Sequence, residues 1–153
     1  MIRELQTAEI DRLLRSEIIG RLGFHARGRT DVVPITYVFD GKSIIGHTGL
    51  GHKVMMMREN PSVCFEVDHI DRTGGWESVL VHGEFQELHD DDATHALDAL
   101  LDHIAAFERL DKRPVTHGAG RFAPGGGERP EVVFRIAIED KTGRGGTILQ
   151  RGA

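Results

Sequence analysis

Residues 33–68 read VPITYVFDGKSIIGHTGLGHKVMMMRENPSVCFEVD, and the reading of this stretch decides the fold. Val32 to Phe39 is apolar and β-prone, and Asp40-Gly41 is a strong hairpin signal. Ser43 to His47 is the return strand. Val54 to Arg58 reads as a short helix, stopped at Asn60-Pro61 because the residue before a proline avoids the α region. Val63 to Val67 is apolar enough for a central strand. Between return strand and helix lies His47-Thr48-Gly49-Leu50-Gly51-His52-Lys53. This loop gathers hydroxyl, imidazole, ammonium and bare backbone N–H groups at the expected N-terminus of a helix, as an anionic phosphate requires.

Outward from this stretch the same period-2 pattern recurs. On the N-terminal side, Thr7 is placed to cap a helix over residues 7–16 with Ile10, Leu13 and Leu14 at helical spacing. Ile18 to Phe24 is then β-prone and ends at the turn residues His25–Arg29. On the C-terminal side, a strand starting at Trp76 or Ser78 runs to Leu88, with Val79, Val81 and Phe85 alternating. Asp90-Asp91-Asp92 opens a helix with negative charge at its positive end, and its apolar stripe is Ala93, Leu97, Leu100, Leu101, Ile104 and Phe107. Gly118 to Pro130 reads as loop, Val132 to Ile138 as a last strand, and residues 141–153 as a tail. The expectation is one domain over 1–153 with a core of about 17–140. It is mainly β, with six antiparallel strands joined mostly by hairpins into a barrel or sandwich and helices at the periphery.

Composition excludes several classes. The 153 residues carry a net charge of −5, 39% hydrophobic and 28% charged residues. Nothing there suits bulk nucleic acid or an anionic membrane, and no apolar run approaches the roughly 20 residues of a membrane span. The charged N-terminus lacks a signal-peptide core. The single cysteine, Cys64, allows no intrachain disulfide and sits in an apolar strand as a core residue. These features fit a reducing cytoplasm. Gly49-Leu50-Gly51 is neither a dinucleotide fingerprint nor a Walker A loop.

His47 and His52 stand five apart with no carboxylate between them and no partner cysteine, so no metal site is expected. Met55-Met56-Met57 reads as core or interface filling. Taken alone, Lys53 is equally a solvated surface lysine, and Gly49 and Gly51 equally an ordinary turn. No side chain stands out as a catalytic acid or base, so no catalytic residue is named.

A family pattern is carried by many short landmarks in order. They are Gly20-Arg21-Leu22-Gly23, Val33-Pro34-Ile35-Thr36-Tyr37, Phe39-Asp40-Gly41, the loop His47–Lys53, Asn60-Pro61 with Val63–Asp68, Ser78-Val79 with Val81 and Gly83, Val133–Ile136 and Thr142-Gly143-Arg144. From Ile19 to Arg144 the chain resembles the pyridoxamine 5′-phosphate oxidase-like FMN-binding split-barrel superfamily, in particular its nitroimidazole-resistance-protein-like branch. The resemblance implies a six-stranded split β-barrel and a homodimer holding FMN, or in some members F420 or haem, at the subunit interface. It implies that Thr48 and Lys53 contact the phosphate with His47 and His52 nearby; His52 stands where many members have arginine. It implies that the strand of Pro34, Ile35, Thr36 and Tyr37 lies along the flavin ring, and that Trp76 and Ser78 come from the partner subunit. The implied activity is a small cytoplasmic oxidoreductase passing electrons from NAD(P)H through FMN to a small acceptor such as a nitro compound or quinone. A non-enzymatic flavin- or haem-binding or sensing protein and an F420-dependent reductase are the alternatives.

Overall fold

The computed structural model describes residues 1–111 and 131–148. In chain order the elements are β1 (Arg3–Glu4), α1 (Thr7–Ser16), β2 (Ile19–Ala26), β3 (Arg29–Thr36), β4 (Val38–Phe39), β5 (Ser43–Gly49), α2 (His52–Glu59), β6 (Ser62–Ile70), β7 (Gly75–Leu88), α3 (Asp90–Asp111) and β8 (Glu131–Thr147). The strands form one antiparallel sheet in the order β3-β2-β6-β7-β8-β5-β4, with β1 on β8. The sheet curls without closing: β3 and β5 approach each other but share no ladder. This is a split barrel. Six long strands are present, but the strand expected over Val32 to Phe39 divides: β3 ends at Thr36 on β2, and β4 pairs with β5 across the Asp40-Gly41 turn, while β1 is a two-residue addition.

Turn chemistry sets the registers. The β2–β3 hairpin turns through Arg27 (φ 52°) and Gly28 (φ 74°), both left-handed as the twist of a two-residue turn demands. Asp71 closes the β6–β7 connection by accepting from the Thr73 and Gly75 amides at 2.8 and 3.0 Å and from the Thr73 hydroxyl at 2.6 Å. These bonds hold its carboxyl below the usual range, the Thr73 hydroxyl foremost.

Alternate residues of the long strands point inward, and Leu22, Phe65, Val67, Val79, Val81, Phe134 and Ile136 fill the barrel. Leu13 and Leu14 of α1 join this core. Tyr37, fully buried, packs edge-on against Phe65 with ring centroids 4.8 Å apart, and its hydroxyl donates to the Leu14 carbonyl at 2.8 Å. Burial, with help from the nearby Glu17 charge, pushes this phenol far above its usual range, so it keeps the proton it donates.

Three expectations are corrected. First, residues 141–147 are no tail: β8 continues to Thr147, paired with β7 through Gly75↔Thr147. The glycines there are needed because the N-terminal segment lies across the strand. A Cβ at Gly143 would meet Leu5 and Ile10 at 2.9 Å. Second, Thr7 is the first helical residue rather than the cap: Gln6 caps, and its amide donates to Glu9 at 2.7 Å. Third, the buried stripe of α3 is Ala96, Leu100 and Ile104, and Leu101 is exposed. Leu100 and Ile104 pack with Ile18, Val38 and Phe107 as a satellite cluster. The expected loop at Gly118–Pro130 lies outside the described residues, as do 149–153.

Tyr37→Phe should lower stability by roughly 1–3 kcal/mol, because it leaves the buried Leu14 carbonyl without its donor. Urea unfolding followed by circular dichroism checks this. An unchanged midpoint would show that the bond does not hold α1 to the barrel.

Candidate functional site

At the open edge of the barrel, β5 ends and α2 begins after only Leu50 and Gly51. The loop expected from sequence is thus shorter than it looked: His47 and Thr48 belong to β5, and His52 and Lys53 form the first turn of α2. The helix has eight residues, no side chain caps its N-terminus, and no acid stands in its first turn. The first N–H groups of a helix have no partner within it and carry partial positive charge. Gly51 precedes them with extended backbone, and a Cβ there would find nothing closer than the Gly49 carbonyl at 4.0 Å. The position where a Gly51 side chain would stand is therefore open.

The flanking side chains differ in exposure. His52 is exposed and Lys53 half-buried. Thr48 is buried, and its hydroxyl donates to the Gly49 carbonyl over a long 3.4 Å. The His47 side chain is only 4% exposed, with Nδ1 3.6 Å from a carboxylate oxygen of Glu131 on the neighbouring β8. Among the described residues no three His, Cys, Asp or Glu gather as a metal-ligand set.

β3 borders the same opening. Pro34 is exposed on its outer side, whereas Ile35, Thr36 and Tyr37 are buried. The Tyr37 amide donates to Ile18 at 3.1 Å and its ring is core, so Tyr37 supports this strand from within.

Trp76 and Ser78 are elsewhere. His47 pairs with Val133, which pairs in turn with Leu88 of β7. Trp76 and Ser78 stand at the opposite end of that strand. Leu88 and Trp76 are about 40 Å of extended chain apart at roughly 3.3 Å per residue. Their half-buried side chains share the outer sheet face with exposed Leu80. Across that face runs the row Pro34, Arg21, Glu66, Leu80, and beside it Val32 is 65% exposed. Arg21 lies 3.7 Å from Glu66 and 3.4 Å from Asp68. Partial burial and then the Asp68 charge raise the Glu66 carboxyl above its usual value, and Arg21 only partly offsets this.

Sequence reasoning missed what fixes α2. Arg58 forks onto Glu87 of β7 at 2.6 and 3.0 Å, and the Asn60 amide donates to the His25 carbonyl at 2.8 Å. Partners 29 and 35 residues apart leave no local signal.

The fold is a split β-barrel with an uncapped helix start at its open edge, and the sequence matches the pyridoxamine 5′-phosphate oxidase family over residues 6–144. The chain belongs to that family. The chain is similar to a FAD-binding protein of Mesorhizobium loti, at 31% identity and a TM-score of 0.73 over 96% of this chain and 99% of that one. It has the fold of a 5-nitroimidazole antibiotic resistance protein of Bacteroides thetaiotaomicron, with a TM-score of 0.73 at 18% identity over 95% and 87% of the two chains. An uncharacterized protein of Rhizobium meliloti is 26% identical over 147 residues, 94% of each chain. No described helix is long and apolar enough to cross a membrane.

The fork onto Glu87 holds its carboxyl below the ordinary 4.5, the Arg58 hydrogen bonds foremost. A depressed carboxylate contributes stability above its unfolded pKa and loses it as pH falls through the folded value. Glu87→Gln should therefore lower the urea midpoint near neutral pH, and the gap to wild type should close as pH falls below about 4.5. A gap independent of pH would show that the charge is not what anchors α2.

Proposed function

We propose that the protein binds a flavin nucleotide in a two-fold dimer and serves as a small oxidoreductase, passing electrons from NAD(P)H to a small acceptor such as a nitro compound or a quinone. The observation that carries the reading is the open, uncapped first turn of α2 beside Lys53 and Thr48. Family membership and the FAD-binding relative of Mesorhizobium loti support it.

Each residue has a part. The first-turn N–H groups of α2 and the Lys53 ammonium hold the flavin's phosphate, with His52 at its solvent side. Thr48 turns its hydroxyl toward the same phosphate. His47, almost wholly covered, forms the floor. The outer side of β3 at Pro34 lies along the ring, with the backbone of Ile35 and Thr36 facing its polar edge. When bound, the flavin supplies the two-electron chemistry, and the protein positions the ring and limits what reaches it.

Trp76 and Ser78 cannot reach that pocket from within their own chain, because the length of β7 separates them from β5. They share the outer sheet face with Pro34, and that face exposes Val32 and Leu80 around the Arg21–Glu66–Asp68 cluster. A two-fold axis through this face brings the Trp76–Ser78 end of β7 from one protomer to the β3 edge of its partner.

The purified protein, mixed with flavin and freed of excess, should be yellow with about one flavin per chain. Lys53→Ala should weaken flavin binding at least tenfold, about 1.4 kcal/mol for a lost ionic contact, and Lys53→Arg should restore most of it. A colourless protein, or one with a haem Soret band instead, would overturn the cofactor. An unchanged dissociation constant in Lys53→Ala would overturn the phosphate assignment.

A further inference from the structure

On the outer face of the sheet, two carboxylates share one cation. Glu66 and Asp68 of β6 alternate with the core residues Phe65 and Val67, so both side chains stand outside the barrel. Arg21 of β2 lies 3.7 Å from Glu66 and 3.4 Å from Asp68. One guanidinium cannot neutralise two ionised carboxyls, so the cluster carries a surplus negative charge. Glu66 is the more covered acid, with 33% of its side chain exposed against 45% for Asp68. The neighbouring strands bring no second cation to it. On β2, Arg21 stands between Ile19 and Gly23. On β7 the partner of Glu66 is the apolar Leu80, flanked on that face by Ser78 and His82. On β8, Arg144 lies beyond Ser78 and Asp140 beyond His82, opposite charges that offset each other. A proton is therefore the counter-charge for Glu66. Burial first, and then Asp68, hold its carboxyl above the ordinary 4.5.

Register sets this cluster between the two halves of the proposed flavin site. Arg21 is the direct partner of Pro34, and Glu66 of Arg21. Glu66 is thus two strands from Pro34, roughly 10 Å at about 4.8 Å per strand. Asp68 is the direct partner of Ser78, so the β7 end that meets the other protomer carries both acids beside it. The proposed reaction needs a proton at this place. A quinone gains both electrons and one hydrogen as a hydride, which leaves a hydroquinone monoanion. The second hydrogen must arrive as a proton, and between two protomers a positioned side chain supplies it better than bulk water.

We propose that Glu66 is the catalytic acid of this oxidoreductase and donates the second proton to a quinone-type acceptor. The inference rests on the flavin reading above. The O–H bond of the Glu66 carboxyl breaks and an O–H bond forms on the monoanion. The acceptor leaves as the hydroquinone, the flavin is left oxidised, and the Glu66 carboxylate is held beside Arg21. Asp68, half-exposed next to it, gives solvent a route to restore the proton.

The test uses the flavin-loaded full chain. The assigned carboxyl carbon signal of Glu66 is titrated by NMR in the oxidised protein and again after reduction with dithionite. The negative charge of a reduced ring nearby should raise the Glu66 midpoint by at least about one pH unit, a tenfold gain in proton affinity. Rapid mixing of the reduced protein with benzoquinone, which needs the proton, and with ferricyanide, which needs none, reads the transfer itself. In Glu66→Gln the ratio of benzoquinone rate to ferricyanide rate should fall at least about tenfold, and the wild-type ratio should fall as pH rises through the Glu66 midpoint. A midpoint unmoved by reduction would overturn the proposal, because the carboxyl would then lie away from the ring. An unchanged ratio in Glu66→Gln would overturn it too. If that variant does not take up flavin, the wild-type titration and the wild-type pH profile decide. If wild type itself binds no flavin, the flavin reading fails and this one fails with it.

Discussion

The ladder between β7 and β8 is the constraint from which the rest follows. Fourteen residues of β7 pair with β8 from Gly75↔Thr147 to Leu88↔Val133, with a single register shift at His82/Gly83. β8 also pairs with β5 and with β1, so it joins the cradle edge of the barrel to its N-terminal cover. The ladder is long enough that its two ends serve different places. Leu88 sits level with His47 and the cradle; Trp76 sits level with Ile70 and Gly146, far from it. A ligand on the cradle that also needs the Trp76 end must find it on another chain. The composite site proposed above thus rests on strand length and register rather than on any particular side chain.

The helices answer to the same frame. α1 is held by the Tyr37 hydroxyl, by Lys141 against Asp11, and by Arg12 against Glu77 at 3.1 Å. α2 is held by the Arg58–Glu87 fork and by Asn60. α3 docks through a small apolar cluster, and the His103 ring N–H donates to the Glu17 carbonyl at 3.0 Å. The Glu17 side chain pairs with His69 at 2.9 Å, yet burial outweighs that pair and raises its carboxyl. α1 and α3 each bury three apolar residues. α2 likewise buries Val54, Met56 and Met57 in the barrel core and adds the Arg58 and Asn60 anchors, while its outer face meets solvent.

Much of the fold was legible in the chain. Alternation in Val79, Val81 and Phe85, the Asp40-Gly41 turn and the Asn60-Pro61 stop each report a local rule, and each element they predict is present. The extension of β8 to Thr147 was not legible. Thr142–Thr147 holds three glycines, which locally read as loop, and their reason is the overlying N-terminal segment about 140 residues away in sequence. The rotation of the α3 stripe by one position is of the same kind, since Leu97, Leu101 and Ala96 are nearly equivalent until the partner surface is known. His47, Thr48, His52 and Lys53 come together at the start of α2, as their contiguity in the chain requires. The ion pairs of Arg27 with Glu59 and of Arg58 with Glu87 were not legible, because they join a hairpin turn, a helix end and a strand that sequence leaves far apart.

The central claim is that one binding site is built from two chains, and subunit complementation tests it most directly. Protein carrying Lys53→Ala and protein carrying Trp76→Ala with Ser78→Ala, each with its own affinity tag, are produced together, and the mixed dimer is isolated through both tags. Each parent dimer has two damaged sites. The mixed dimer has one site with both defects and one with neither. The account predicts that it binds one flavin per dimer with wild-type affinity, while both parents bind weakly. A mixed dimer no better than its parents, or a flavin-loaded protein that runs as a monomer so that no mixed dimer forms, would contradict it.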